Sequence, residues 1–307
     1  MTSIREELKS KAALLASENV FIGTSSWKYP GWCGQLYDEA RYLTRSKFSK
    51  KKFDEQCLGE YAETFHTVCV DAGYYKFPDE RYIEKLCSCV PDGFRFSFKV
   101  TDVITIKHFP NLPRFGSHAG RDNEHFLNAE MFSNNFLRPC EQFSDHIGAF
   151  IFEFSQFHSR DFERGRDFVE AMDNFLTRLP QGRQYAVEIR NQNFLKPEYF
   201  EMLSRHGVAH VFNSWSRMPP VKEQIAMNGS QTAAFLIARF LLTPGRNYEQ
   251  AVKDFSPYTE TKARDDNARE GGRELIQKAR GSKRPSFIYV NNRLEGNALS
   301  TIDAMVK

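Results

Sequence analysis

Nowhere does the chain carry a run of about 18 apolar residues, so no transmembrane helix and no membrane partner is expected. Paired cysteines are missing too. Cys33, Cys57, Cys69, Cys87, Cys89 and Cys140 are scattered with no Cys-x-x-Cys, and Cys87-Ser88-Cys89 has the wrong spacing for a zinc knuckle or a thioredoxin-type pair. His66, His108, His118, His158 and His210 form no His-Glu-x-x-His or His-x-His pattern, so no histidine-metal centre is expected. Charge of one sign is scarce: 42 basic against 39 acidic residues leave +3, too little to argue for nucleic acid by itself. Met1 to Asn19 scatters Arg5, Glu6, Glu7, Lys9 and Lys11 among its apolar residues. That excludes a secretory h-region and suggests a short amphipathic helix. The simplest compartment is the cytoplasm, where thiols stay reduced.

What is present is an alternation of two periods. Short runs rich in β-branched and aromatic residues recur at Val20 to Thr24, Thr67 to Val70, Phe94 to Val100, Ile147 to Phe152, Gln184 to Ile189, Val208 to Asn213, Ala234 to Arg239 and Ser286 to Val290. Helical patterns lie among them at Asp54 to Thr64, Glu80 to Cys87, Glu124 to Pro139, Phe162 to Leu179 and Pro197 to His206. Three more follow at Tyr248 to Asp254, Thr261 to Ala279 and Gly296 to Val306. Eight such units in 307 residues predict a single α/β domain, a (β/α)8 TIM-type barrel over 20–307, with 1–19 as a helical extension. An open doubly wound sheet would usually carry Gly-x-Gly-x-x-Gly after its first strand, and Gly23-Thr24-Ser25-Ser26-Trp27 does not match. The irregular place is between the sixth and seventh strands. There Pro219-Pro220 and Asn228-Gly229 make Ser214 to Thr232 read as a loop.

Barrels of this kind place their chemistry where strands end and βα loops begin. Those ends are consistently polar here. The first offers Thr24, Ser25 and Ser26, then Trp27, Tyr29 and Trp32; the second Asp71 and Tyr75; the third Lys99; the fourth Glu153. Glu188 and Arg190 end the fifth, Asn213 the sixth, Arg239 the seventh, and Asn291 and Asn292 the eighth. In Tyr185-Ala186-Val187-Glu188-Ile189-Arg190 the two charges share one face, because strand side chains alternate. Buried, they must be paired or used. Lys99 and Arg239 would then either neutralise Glu188 and Glu153 as internal ion pairs or bind a ligand.

A family resemblance joins these residues. Ile22-Gly23-Thr24-Ser25-Ser26-Trp27-Lys28-Tyr29-Pro30-Gly31-Trp32 resembles the opening of the DUF72 (YecE-like) family. Phe65-His66-Thr67-Val68 with Tyr74-Tyr75-Lys76-Phe77-Pro78, the segment Pro91 to Lys99, and Ala186-Val187-Glu188-Ile189-Arg190 are similar to further motifs of that family. So is Asn291-Asn292 with Glu295-Gly296-Asn297-Ala298. The resemblance spans about Val20 to Ala298 and implies a TIM-type barrel without an established biochemical activity. The chain departs from the family pattern at Cys69, usually glutamate, at Asp71, usually asparagine, and at Glu153, where glutamine is common. Asn191 replaces a usual histidine, and Leu241-Leu242 stand where His-Gly often follows the seventh-strand arginine. These changes put any family-wide acid–base chemistry in doubt here.

Two functions are compatible with the residues. In the first, the chain is an enzyme, a hydrolase, isomerase or lyase, acting on a polar small molecule with a phosphate or carboxylate. Lys99, Arg190 and Arg239 would hold the anion, and Ser25, Trp27, Tyr29, Tyr75, Asn213, Asn291 and Asn292 would line the site. Glu188 would be the general acid or base, with Glu153 and Asp71 as further catalytic carboxylates. In the second, a non-catalytic barrel binds nucleic acid or a protein through Arg41, Arg45, Lys47, Lys50, Lys51 and Lys52, interleaved with Tyr42, Phe48 and Phe53. The substrate, any cofactor or metal requirement and the oligomeric state are left open by the sequence.

Overall fold

The computed structural model describes residues 4–307. Eight parallel strands close into a barrel. They are β1 (Val20–Ser25), β2 (Thr67–Val70), β3 (Arg95–Lys99), β4 (Ile147–Phe154), β5 (Tyr185–Ile189), β6 (Ala209–Ser214), β7 (Leu236–Phe240) and β8 (Ser286–Val290). Each pairs with its sequence neighbours, and β1 closes the ring by pairing with both β2 and β8. All eight expected strands form, within two residues of their expected ends.

The strands are buried on both faces, as a parallel sheet wrapped by helices requires. Alternation splits their side chains into two cores. Outward residues such as Ile22, Val68, Phe96, Phe98, Phe150, Phe152, Val187 and Ile288 join the helices in one large cluster. Inward residues Cys69, Ala149, Ile151, Ala186, Val211, Ile237, Phe287 and Tyr289 fill the barrel itself. Midway up, the Tyr289 hydroxyl donates to Ser97 Oγ at 2.6 Å and lies 2.9 Å from Thr67 Oγ1. The next inward position toward the C-terminal mouth is polar at all eight strand ends: Ser25, Asp71, Lys99, Glu153, Glu188, Asn213, Arg239 and Asn291.

The N-terminal helix Ile4–Ser17 buries Leu8, Ala12 and Leu15 in the main cluster, and Arg5 pairs with Glu60 and Glu63. It is a part of the barrel's outer core. Met1 to Ser3, the start of the expected helix, lie outside the described residues.

Beyond β3, three segments differ from their sequence reading. The helix expected over Glu124 to Pro139 is only Ala129–Phe132, followed by a wide turn at Ser133–Leu137 and a tight one at Arg138–His146; Pro139 has no N–H to continue an α-helix. The helix expected from Thr261 starts at Asp266, where the Asp265 carboxylate accepts from Ala268 N. Lys262 and Ala263 instead donate to the Glu295 carbonyl. Between β6 and β7, Val221–Ala226 forms a short helix inside the expected loop.

The basic segment is ordered. Leu43–Thr44 and Lys47–Phe48 make a small hairpin turning at Arg45 and Ser46, and the helix Lys50–Ala62 starts earlier than the sequence suggests, on a Ser49 cap. Its aromatics face inward, with Tyr42 and Phe53 buried edge to face, 5.0 Å apart. Arg41 and Lys50 are engaged by Glu63 and Asp54. Arg45, Lys47 and Lys51 are exposed.

Candidate functional site

The polar residues expected at the strand ends do gather at one mouth, and most of the charged ones meet. Glu153 Oε2 takes three cations, Lys99 Nζ at 2.8 Å, Arg190 Nη2 at 2.8 Å and Arg239 Nη1 at 2.9 Å. Glu188 Oε1 accepts from Arg190 Nε and Nη2 at 3.1 and 3.0 Å, while its Oε2 lies 2.6 Å from Arg239 Nη1. Arg239 Nη2 reaches Asp71 Oδ1 at 3.1 Å. Three carboxylates thus neutralise three cations.

Register explains the convergence. Glu153 and Glu188 are paired neighbours on β4 and β5. Asn213 and Arg239 are paired on β6 and β7, so long side chains from both sides of the ring cross the lumen at one level.

Electrostatics follows from this packing. Burial alone would raise the Glu153 carboxyl, but Arg190, Lys99 and Arg239 outweigh it and hold it well below the usual carboxylate range. Burial would likewise lower Arg239, yet Glu188 and its other anionic neighbours hold the guanidinium firmly charged. Beneath Arg239, burial pushes the Cys69 thiol up to about 12, against the pull of Arg239, so it stays neutral.

Depth divides the cluster. The Glu188 side chain is 0% exposed, and Glu153 and Arg239 are 2% exposed. Lys99 and Arg190 show an edge, and Asp71 is 32% exposed. The expectation that Glu188 is the group exchanging protons with a substrate meets this geometry badly, since both its oxygens are held by guanidinium groups below the mouth. Glu153 takes all three of its cations on Oε2, and its depressed carboxyl holds no proton to donate. Lys99, Arg190 and Arg239 do not form an open anion seat, because the same two glutamates consume them.

The remaining expected residues sort similarly. Ser25 and Asn291 are fully buried at the interior of the mouth, the first at the end of β1 and the second just beyond β8, strands that pair through Thr24 and Val290. Tyr29 is half-buried beside them, its hydroxyl 3.4 Å from the Ser25 carbonyl oxygen. Trp27 is packed into the hydrophobic core instead of lining the opening. Tyr75 is 68% exposed on the rim. Asn213 spends its amide hydrogens on the Ile189 and Val211 carbonyls, tying β5 to β6. Asn292 Oδ1 accepts from Trp32 Nε1 and Ala298 N, fastening the first loop and the last helix. Asn191, at the family's histidine position, clamps Phe157 N and O.

Several residues at the mouth were not singled out in the sequence. Tyr74 lies under Lys99, Nζ 3.5 Å from the ring centroid, and Trp215 carries the Arg190 guanidinium at 3.6 Å. Both adjoin recognised positions, three residues after Asp71 and two after Asn213. Arg293 follows Asn292 and stacks on Tyr248 at 4.7 Å. Tyr258 meets Tyr29 edge to face at 5.5 Å. Tyr248 and Tyr258 come from the long segment after β7, where the helical pattern beginning at Tyr248 gives no sign that either ring reaches the mouth. Among the described residues no group of three or more His, Cys, Asp or Glu side chains is placed to hold a metal ion, and no helix is long and apolar enough to cross a membrane.

Comparison with known proteins agrees with this architecture. The family model described as "Protein of unknown function DUF72" matches residues 21–307. A DUF72 family protein from Enterococcus faecalis is similar at TM-score 0.61 and 17% identity, over 93% of this chain and 94% of that one. One from Thermotoga maritima is similar at TM-score 0.59 and 18% identity, over 93% and 96%. At these identities the likeness shows a shared fold. No curated protein matches the chain. With its family model matching nearly the whole barrel, this chain belongs to the DUF72 family of proteins of unknown function.

Proposed function

We propose that the barrel mouth is the active site for a polar small molecule bearing an anionic group, with Asp71 exchanging a proton with it. The observation that carries this reading is the division of the charge layer by depth. Of its three carboxylates, Asp71 alone has substantial exposure, at 32%, and it is anchored by one oxygen to the buried Arg239. A carboxylate fixed at one oxygen and open at the mouth suits general acid–base work, which hydrolysis, isomerisation and elimination all require. Glu188, Glu153 and Arg239 form the rigid floor that fixes it. The aromatic rings of Tyr74 and Trp215, each against a cation, frame the opening. All six cysteines are unpaired, which favours a reducing compartment, the cytoplasm.

The test is Asp71→Asn in a thermal-shift screen against sugar phosphates and hydroxy acids. The wild type is expected to be stabilised by at least one compound, since a ligand at 100 times its Kd adds about 2.7 kcal/mol. D71N should keep its own melting temperature and lose that response. A D71N protein that responds like the wild type contradicts the assignment.

A further inference from the structure

The charge layer leaves no cation free for an anion, yet one stands at its edge. Arg293, just beyond β8, pairs with no carboxylate among the described residues. Its Cζ lies over the Tyr248 ring, its backbone N donates to Asn291 Oδ1 at 3.0 Å, and its buried Nε has no hydrogen-bond partner. On the adjoining ends of β1 and β8, Ser25 and Asn291 are 0% and 1% exposed, and Ser25 Oγ and Asn291 Nδ2 are also unpartnered. A buried donor without an acceptor costs about 1–3 kcal/mol. Donors thus accumulate on the adjoining ends of β1 and β8, and a group made only of acceptors would complement them.

We propose that the substrate is a phosphate ester whose phosphate sits on Arg293, between the loops that follow β7 and β8. This rests on the reading of the mouth as the active site. In (β/α)8 barrels phosphate sites recur at these two loops, and a guanidinium suits phosphate geometrically. The β7 loop is built for the position. Tyr258 holds a left-handed φ of 71°, a conformation costing about 1–3 kcal/mol that persists only where its surroundings enforce it. They do so here: Asn297 Nδ2 donates to the Tyr258 carbonyl at 3.0 Å, and Gly31 passes so close that a Cβ there would lie 1.9 Å from the Pro257 oxygen. The result is Tyr258 against Tyr29, with Arg293 beside both. Burial raises the Tyr29 phenol, while Arg293 opposes that shift and Asp71 adds to it.

The experiment is titration with inorganic phosphate, followed by 31P line broadening and calorimetry, on wild type, R293Q, R293K, K99M and D71N, with acetate as the carboxylate control. Melting temperature and circular dichroism verify folding of each variant. R293Q should weaken phosphate binding roughly tenfold or more and R293K less, as expected for one lost charge-assisted contact, whereas K99M should stay within about twofold. Phosphate binding by R293Q equal to wild type, acetate binding as tight as phosphate, or no phosphate binding by the wild type overturns the inference. Loss in K99M with retention in R293Q moves the anion to the charge layer and leaves the mouth reading standing. Binding that none of R293Q, K99M and D71N alters places the anion elsewhere and removes both.

Discussion

Arg239 Nη1 lies 2.6 Å from Glu188 Oε2 at the centre of the barrel, with neither side chain more than 2% exposed. The same nitrogen touches Glu153, so one guanidinium bridges carboxylates on two adjacent strands. Such a pair owes its survival to completeness, because desolvating each charge is expensive and only the partner offsets it.

Removing one member should therefore unfold rather than merely disarm the protein. Glu188→Gln leaves Arg190 and Arg239 short of negative charge in a sealed layer, and a loss of about 3–5 kcal/mol is expected. Urea unfolding of wild type and E188Q measures it. A change below about 1 kcal/mol would show that the pair contributes little to the fold, as exposed pairs do.

The strands and the ring of polar ends were legible in the sequence because parallel strands impose a simple alternation that Val187-Glu188-Ile189-Arg190 displays openly. What the sequence does not encode locally is depth. Glu188 and Asp71 both stand at strand ends, yet the first is sealed beneath Arg190 while the second opens on the rim, since β2 stops at Val70 and Asp71 begins its loop. Nor could spacing reveal that Trp215 would lie on Arg190 or that Tyr258 would return to Tyr29. Both contacts are made across loops, and the path of the second is set by Gly31 and Asn297. The basic run 41–52 reads as a binding segment because its charges outnumber its aromatics, although Tyr42 and the following Phe53 are buried.

Acid should dismantle the charge layer from Glu153. Its carboxyl is depressed in the folded state, so its stabilising contribution is full above the ordinary carboxylate value of about 4.3. It is lost as pH falls below that value toward the folded one. The melting temperature of wild type should drop steeply below pH about 4, and E153Q, already destabilised at neutral pH, should drop less over the same interval. Equal slopes in the two proteins would contradict this assignment.

His210 opens an earlier window. Burial lowers its pKa to about 4, and its Nδ1 lies 3.2 Å from the Tyr199 hydroxyl. A histidine held neutral contributes stability that is complete above the unfolded value of about 6.5 and declines as pH falls from there toward about 4. Unfolding free energies measured from pH 7 to 4.5 should fall progressively, with uptake of about one proton on unfolding. His210→Phe should flatten that decline; a variant retaining the full slope would assign it to other groups.

The most direct measurement is the paired thermal-shift response of Asp71→Asn and Glu188→Gln to one panel of sugar phosphates. The account predicts that D71N melts with the wild type and no longer responds to the compound that stabilises it, while E188Q melts markedly lower before any compound is added. A D71N protein with an intact response, beside an E188Q protein of wild-type stability that has lost it, would return the chemistry to the buried glutamate.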